Sequence, residues 1–151
     1  MRLVRLRANT IRRLREIERT PNAEPWIAEV ESFILDGGAA SHRLEPLSAV
    51  LIADDSGKVV GAAVHHPSET YPGAQYLSAV LLDHRVRGRG LGRQLLNAVI
   101  ADARSTSGRP YVLWTVHPEN HSMIALSRRT VATGVEFGTE RTTGYLIFVD
   151  P

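Results

Sequence analysis

The sequence predicts an α/β domain, a mixed central β-sheet with helices on both faces. Three observations carry that expectation. Residues 76–82 form an apolar run, followed by the glycine-rich turn Arg87-Gly88-Arg89-Gly90-Leu91-Gly92-Arg93 and an amphipathic stretch over 91–103. Residues 111–116 alternate and are rich in β-formers, and an apolar stripe of Met123, Ile124, Leu126 and Val131 follows at helical spacing. Residues 47–53 and 58–65 read as two strands joined by Asp54-Asp55-Ser56-Gly57, a hairpin signal in which glycine supplies the positive φ. Strands that alternate with helices, together with a hairpin, give a mixed sheet covered on both sides.

Taken in order, residues 2–7 mix arginine with aliphatic residues and read as a first strand. Residues 10–19 read as a helix with Ile11, Leu14 and Ile17 on its apolar side. Thr20-Pro21-Asn22-Ala23 is a turn, and a second helix runs from Glu24-Pro25 to about residue 36. Its apolar side is Trp26, Ile27, Val30, Phe33 and Ile34, and Gly37-Gly38 stops it. A loop over 39–46 would shape a substrate mouth, and 67–73 is a second polar loop. His117-Pro118-Glu119-Asn120 ends the strand at 116, with Asn120 placed to cap a helix from His121 that Gly134 terminates. Residues 142–149 alternate as a final strand.

The glycine-rich turn carries the first chemical expectation. Glycines let the backbone approach a ligand closely and turn its N–H groups outward. At a helix N-terminus such groups, with the helix dipole behind them, suit a phosphate, and the arginines add charge of the right sign. A Walker loop would need a lysine after its last glycine, and the only lysine in the chain is Lys58. A dinucleotide fingerprint needs Gly-x-Gly-x-x-Gly, whereas the spacing here is Gly-x-Gly-x-Gly. Taken alone, the hexapeptide reads equally well as a pyrophosphate-binding turn and as a plain connector between two core elements.

The segment Arg87 to Gly92 has the form Arg-x-x-Gly-x-Gly and resembles the coenzyme A pyrophosphate motif of the GNAT-type N-acetyltransferases. The strand before it, the second strand at 111–116, Asn120 and Gly134-Val135-Glu136-Phe137 follow in that family's order, and the resemblance spans roughly residues 45–149. It implies a single GNAT domain over 1–151, with acetyl-coenzyme A as co-substrate in a gap between splayed strands. It also implies a cofactor-binding set of Leu81, Leu82, Arg87, Gly88, Arg89, Gly90, Leu91, Gly92, Arg93 and Asn120. In that set the Leu82 N–H would meet the acetyl carbonyl, the turn amides would hold the pyrophosphate, and Asn120 would bind the pantetheine arm. The implied reaction is direct attack of a primary amine on the thioester.

One position departs from the family pattern. Seven residues past the asparagine the family often has a tyrosine that protonates the departing thiolate, and here that residue is Ser127. An aliphatic hydroxyl is far less acidic than a phenol of pKa ~10. Ser127 therefore reads either as a weak acid or as a helix-packing serine. Asp83 and His117 are the first candidates for the remaining proton transfer, by position at the ends of the two strands. His84, Glu119 and His121 lie nearby, and of His65 and His66 at least one is expected to face the cleft or solvent. The paired histidines have no further ligand at metal-binding spacing, so no metal is expected.

Composition sets the outer bounds. A chain of 151 residues is one domain's worth, and the absence of cysteine removes disulfides, thiolate metal sites and a cysteine nucleophile. No apolar run approaches the ~18 residues of a membrane span. Residues 1–20 have no continuous apolar leader, so a cytoplasmic protein with no membrane partner is expected. The formal charge is +2, yet residues 1–19 hold seven arginines against Glu16 and Glu18. A nucleic-acid contact would call for aromatic residues interleaved with the basic ones, and residues 1–25 have none. An edge strand and helix that steer a phosphorylated coenzyme are the better reading. A coenzyme-binding module without turnover is the main alternative to the enzyme. Acceptors from small amines to protein amines stay open, with Glu24, Glu29, Glu31, Glu45 and Glu69 as candidate attractors, and nothing requires or excludes a homodimer.

Overall fold

The computed structural model describes residues 1–7, 9–17, 48–86, 88–130, 135–141 and 143–151. Among the described residues, seven strands form one sheet: β1 (Arg2–Arg5), β2 (Ser48–Ala53), β3 (Val59–Pro67), β4 (Ala74–Leu82), β5 (Tyr111–Val116), β6 (Val135–Thr139) and β7 (Leu146–Asp150). Their order is β1-β2-β3-β4-β5-β7-β6. Every neighbouring pair is antiparallel except β4 and β5, which run parallel. The parallel pair is joined by α1 (Leu91–Ser107), and α2 (His121–Thr130) follows β5. The expected second helix and the loop after it, over 24–46, lie outside the described residues, as do Val131 and Gly134.

Alternation along the strands sorts the core into two faces. Val50 and Ile52 of β2 pack with Leu95, Leu96, Val99 and Ile100 of α1, and Trp114, Ile124 and Phe148 close the same layer. Ala49 and Leu51 point the other way, against Ile11, Leu14 and Ile17. That second face is covered by a 3-10 helix, Ile11–Glu16, where the sequence suggested an α-helix over 10–19. The difference has a simple origin: Ile11, Leu14 and Ile17 recur every three residues, a period that suits a 3-10 helix as well as an α-helix. The backbone turns extended at Ile17.

Helix α1 sits close on β3 because Gly61 lacks a side chain. A Cβ there would lie 2.5 Å from Leu95 Cδ1 and 2.8 Å from the Leu81 carbonyl oxygen. A polar chain fastens the other half of α1. Arg5 of β1 grips the Asp102 carboxylate at 2.7 and 2.9 Å and reaches Thr106 at 2.7 Å. Asp102 in turn meets His65 Nε2 of β3 at 3.0 Å, and the Gln75 amide of β4 meets His65 Nδ1 at 2.8 Å.

Two irregularities in pairing position the site. Val64 faces Ala79 across the β3–β4 ladder but His65 faces Leu77, so Ser78 is an extra residue bulged out of β4. On its other side β4 pairs with β5 only from Ala74/Tyr111 to Leu77/Trp114. Beyond that point β4 stays with β3 and β5 stays with β7, and the two parallel strands part.

Candidate active site

The parting of β4 and β5 leaves a gap whose open end lies at Leu82 and Val116. The direction of the amides along it can be read from β3. The Asp83 N–H donates to the Val60 carbonyl at 2.8 Å, and the Leu81 carbonyl lies against Gly61. Main-chain groups alternate along a strand, so Val80 and Leu82 direct theirs away from β3 and into the gap. Leu81, included in the expected binding set, turns its main chain to β3 and its side chain to the opposite layer, against the Leu51 cluster.

The glycine-rich turn closes the open end. Gly88 and Gly90 have φ of 77° and 75°, a left-handed conformation that glycine adopts without steric cost. Among the described residues, a Cβ at either would meet nothing within 4 Å. Gly90 is the N-cap of α1, no side chain among the described residues caps it, and the first turn holds no acidic residue. The leading N–H groups at Leu91, Gly92 and Arg93 therefore carry the positive end of the helix dipole without a carboxylate to neutralise it. Gly92 seats the helix start at the gap: a Cβ there would touch Leu126 at 3.4 Å and Leu82 at 3.7 Å. Arg89 and Arg93 are exposed beside it, and Arg87 lies outside the described residues. Uncapped amides and basic side chains fit the diphosphate of coenzyme A.

The expected catalytic groups fall in three settings. Asp83 is fully buried at the end of β4, where its carboxylate takes the Arg85 backbone N–H at 2.8 Å and the Arg85 guanidinium at 2.6 and 3.0 Å. That ion pair anchors the 3-10 turn His84–Val86 leading to the glycines. His117 is exposed just past β5, with its ring edge-to-face on Tyr145 at 5.1 Å. Its Nδ1 accepts the Glu119 N–H at 3.1 Å, which leaves the proton of the neutral ring on Nε2. Ser127 is fully buried on α2 and accepts the Trp114 indole N–H at 2.9 Å. Asn120 caps α2 as its position suggested, its side-chain oxygen taking the Met123 N–H at 3.2 Å.

Neither His65 nor His66 faces solvent, one of the two settings, cleft or solvent, that the sequence left open for them: they are 0% and 6% exposed. Strand β3 runs on to Pro67, past the point where the sequence suggested it would end, and this carries both histidines into the sheet. Burial pushes the His65 pKa down, against a smaller upward pull from Asp102. His66 lies on the other face, edge-to-face with Tyr76 at 5.4 Å. His84 and His121 are exposed. Sequence reasoning missed the Tyr76 hydroxyl, which meets the Thr115 hydroxyl at 2.8 Å across β4 and β5. That pairing depends on the parallel register, for which the sequence carries no local mark. Among the described residues, no three histidine, aspartate or glutamate side chains gather as a metal site, and no helix is long and apolar enough to cross a membrane.

The profile of the acetyltransferase (GNAT) family matches residues 11–130. The chain belongs to that family and is an acyltransferase by membership. Solved structures agree on the fold. An aminoglycoside acetyltransferase in complex with coenzyme A superposes with a TM-score of 0.76 at 19% identity, over 97% of this chain and 92% of that one. The spermidine N-acetyltransferase of Vibrio cholerae, in complex with coenzyme A and spermine, gives 0.70 at 13% identity, over 98% and 92%. Nourseothricin acetyltransferase gives 0.56 at 20% identity over 70% of this chain, which spans 65% of that protein's length. No curated protein matches the chain by sequence.

Proposed function

We propose that this chain, as a single domain over residues 1–151, moves an acetyl group from acetyl-coenzyme A to a primary amine by direct attack on the thioester. The observation that carries the reading is the parting of β4 and β5 after Leu77/Trp114, beside the uncapped, glycine-turned start of α1. The amides of Gly88, Gly90, Leu91, Gly92 and Arg93 would hold the diphosphate, with Arg87 and Arg89 adding charge. The Leu82 N–H, directed into the gap, would polarise the acetyl carbonyl and bind its oxygen more strongly as charge develops there. Asn120 would meet the pantetheine arm with the amide nitrogen that its capping bond leaves over.

The three catalytic candidates take different roles in this reading. Asp83, already neutralised by Arg85, sets the turn and does not move a proton. Ser127 packs against Trp114. His117 presents an N–H at the mouth of the gap, and the amine loses its proton to water. The acceptor is a small amine; spermine and aminoglycosides belong to the structural neighbours and set the first compounds to try.

Calorimetry with acetyl-coenzyme A, paired with isotopic transfer to a panel of amines, tests the reading. Binding together with transfer supports it. Binding without transfer to any acceptor favours a coenzyme-holding module, the alternative that Ser127 in its buried pairing keeps open.

A further inference from the structure

Arg85 joins two parts of the fold that lie 69 residues apart in the chain, the approach to the glycine turn and the end of the 3-10 helix Ile11–Glu16. Its Nη2 donates twice, to the Asp83 carboxylate at 2.6 Å and to the Glu16 carbonyl at 3.2 Å. The first bond belongs to a bidentate ion pair with a carboxylate that is buried. The second is longer, ends on a neutral oxygen and lies at the exposed surface. Of the two, the Glu16 contact is the one that water replaces at little cost.

The Glu16 carbonyl and the Ile17 N–H are opposite edges of one planar peptide group. The Ile17 N–H donates to the Leu14 carbonyl at 3.3 Å and closes the last turn of the 3-10 helix. Arg85 and Leu14 therefore hold this peptide from its two edges, where the backbone leaves the helix for an extended conformation. The Glu16 side chain is held separately, by the Val59 N–H at 3.2 Å and by Arg13 at 2.9 Å. The direction in which the chain departs from Ile17 thus depends in part on Arg85. The loop over 39–46, expected at the substrate mouth, lies further along that chain, outside the described residues.

The other end of the link is the glycine turn. Arg85 stands in the 3-10 turn His84–Val86, which the Val86 N–H closes on the Asp83 carbonyl at 3.2 Å, and Gly88 follows three residues later. Glycine has more backbone freedom to lose than any other residue, so ligand bound on the amides of 88–93 removes freedom from the chain just past Arg85. Asp83 already fixes the chain just before it. With both sides fixed, the guanidinium keeps its reach to Glu16.

We propose, resting on the coenzyme A reading above, that Arg85 is a positioning residue that couples occupancy of the glycine turn to the peptide between Glu16 and Ile17, and so to the chain that leads to the acceptor side. A ligand shifts such a contact by no more than the contact is worth. For one exposed hydrogen bond that is about a fivefold change.

Amide hydrogen exchange at Ile17, with and without saturating coenzyme A, tests the coupling in the parent chain and in Arg85→Met. The Val99 amide inside α1 is the reference, because binding slows every exchange that needs global unfolding. In the parent, coenzyme A should slow exchange at Ile17 about fivefold. In Arg85→Met it should leave Ile17 unchanged while still slowing Val99. Asp83→Asn/Arg85→Met, which removes the buried carboxylate as well, decides the matter on the same readout should Arg85→Met not fold. Ile17 slowed equally in parent and variant, or not slowed in a parent that binds coenzyme A, would overturn the coupling and leave the acetyltransferase reading standing. A parent chain that binds no coenzyme A would overturn both.

Discussion

The imidazole of His65 and the carboxylate of Asp102 meet at 3.0 Å between β3 and α1, and Gln75 fixes which way the contact runs. The Gln75 amide donates to His65 Nδ1, so the neutral ring carries its hydrogen on Nε2 and donates to Asp102. Protonating the ring would add a hydrogen at Nδ1, facing an N–H donor. The Gln75 amide would then have to flip to present its carbonyl oxygen, which is buried and has no partner among the described residues.

Stability should therefore depend on pH through His65. Burial holds its folded-state pKa below the ordinary value, so the unfolded chain takes up the proton first. The contribution is complete above the unfolded pKa of about 6.5 and is lost as pH falls through the lower folded value. Urea unfolding across that range should show a falling midpoint in the parent chain and a flatter one in His65→Gln. Asp102→Ala should cost about 1–3 kcal/mol at neutral pH, because it strips a partner from both His65 and Arg5. Parallel pH curves for parent and His65→Gln would show that His65 does not couple to folding.

Gly61→Ala should destabilise the protein by about 1–3 kcal/mol, since the added carbon meets a carbonyl oxygen as well as the end of Leu95. The Leu95 side chain can rotate, but the Leu81 carbonyl belongs to the strand that lines the gap. Denaturant unfolding reads the loss. A weaker affinity for coenzyme A would show that the strain reaches β4, and unchanged stability would mean that α1 shifts as a body at no cost.

Much of this architecture could be read from the chain. The hairpin at residues 54–57, the strands flanking it, the helix after the glycines and the Asn120 cap all follow from local pattern. Those features depend on neighbours in sequence, which alternation, glycine placement and capping chemistry record directly. The site's shape depends instead on distant register. Nothing about Ser78 marks it as a bulge, and the gap exists because β3 and β5 pull β4 in different directions after Leu77. The setting of His65 was hidden for the same reason: Asp102, the carboxylate it meets inside the fold, lies 37 residues on.

Gly90→Glu should abolish measurable coenzyme A binding. Its φ of 75° strains any L side chain, by roughly 1–2 kcal/mol, and the carboxylate would place negative charge at the uncapped helix start. Gly90→Ala separates the two effects, because it keeps the strain and omits the charge. Calorimetry should find Gly90→Ala weakened and Gly90→Glu at least tenfold weaker still. Equal affinities for a folded Gly90→Glu and the parent would remove the turn from the coenzyme site.

Ser127→Ala separates packing from chemistry at the position where the family often carries a tyrosine. The serine oxygen is the partner of the Trp114 indole N–H, and both groups are buried. Removing it leaves a buried donor unsatisfied, which should cost about 1–3 kcal/mol in unfolding experiments. Trp114 also stacks on Phe148 at 5.9 Å, so the ring should stay in place and coenzyme affinity should hold. Turnover, once an acceptor is found, should change less than twofold, because the hydroxyl faces the indole and not the gap. A hundredfold loss of kcat at full coenzyme affinity would instead make Ser127 the proton donor, and would require Trp114 to swing away during the reaction.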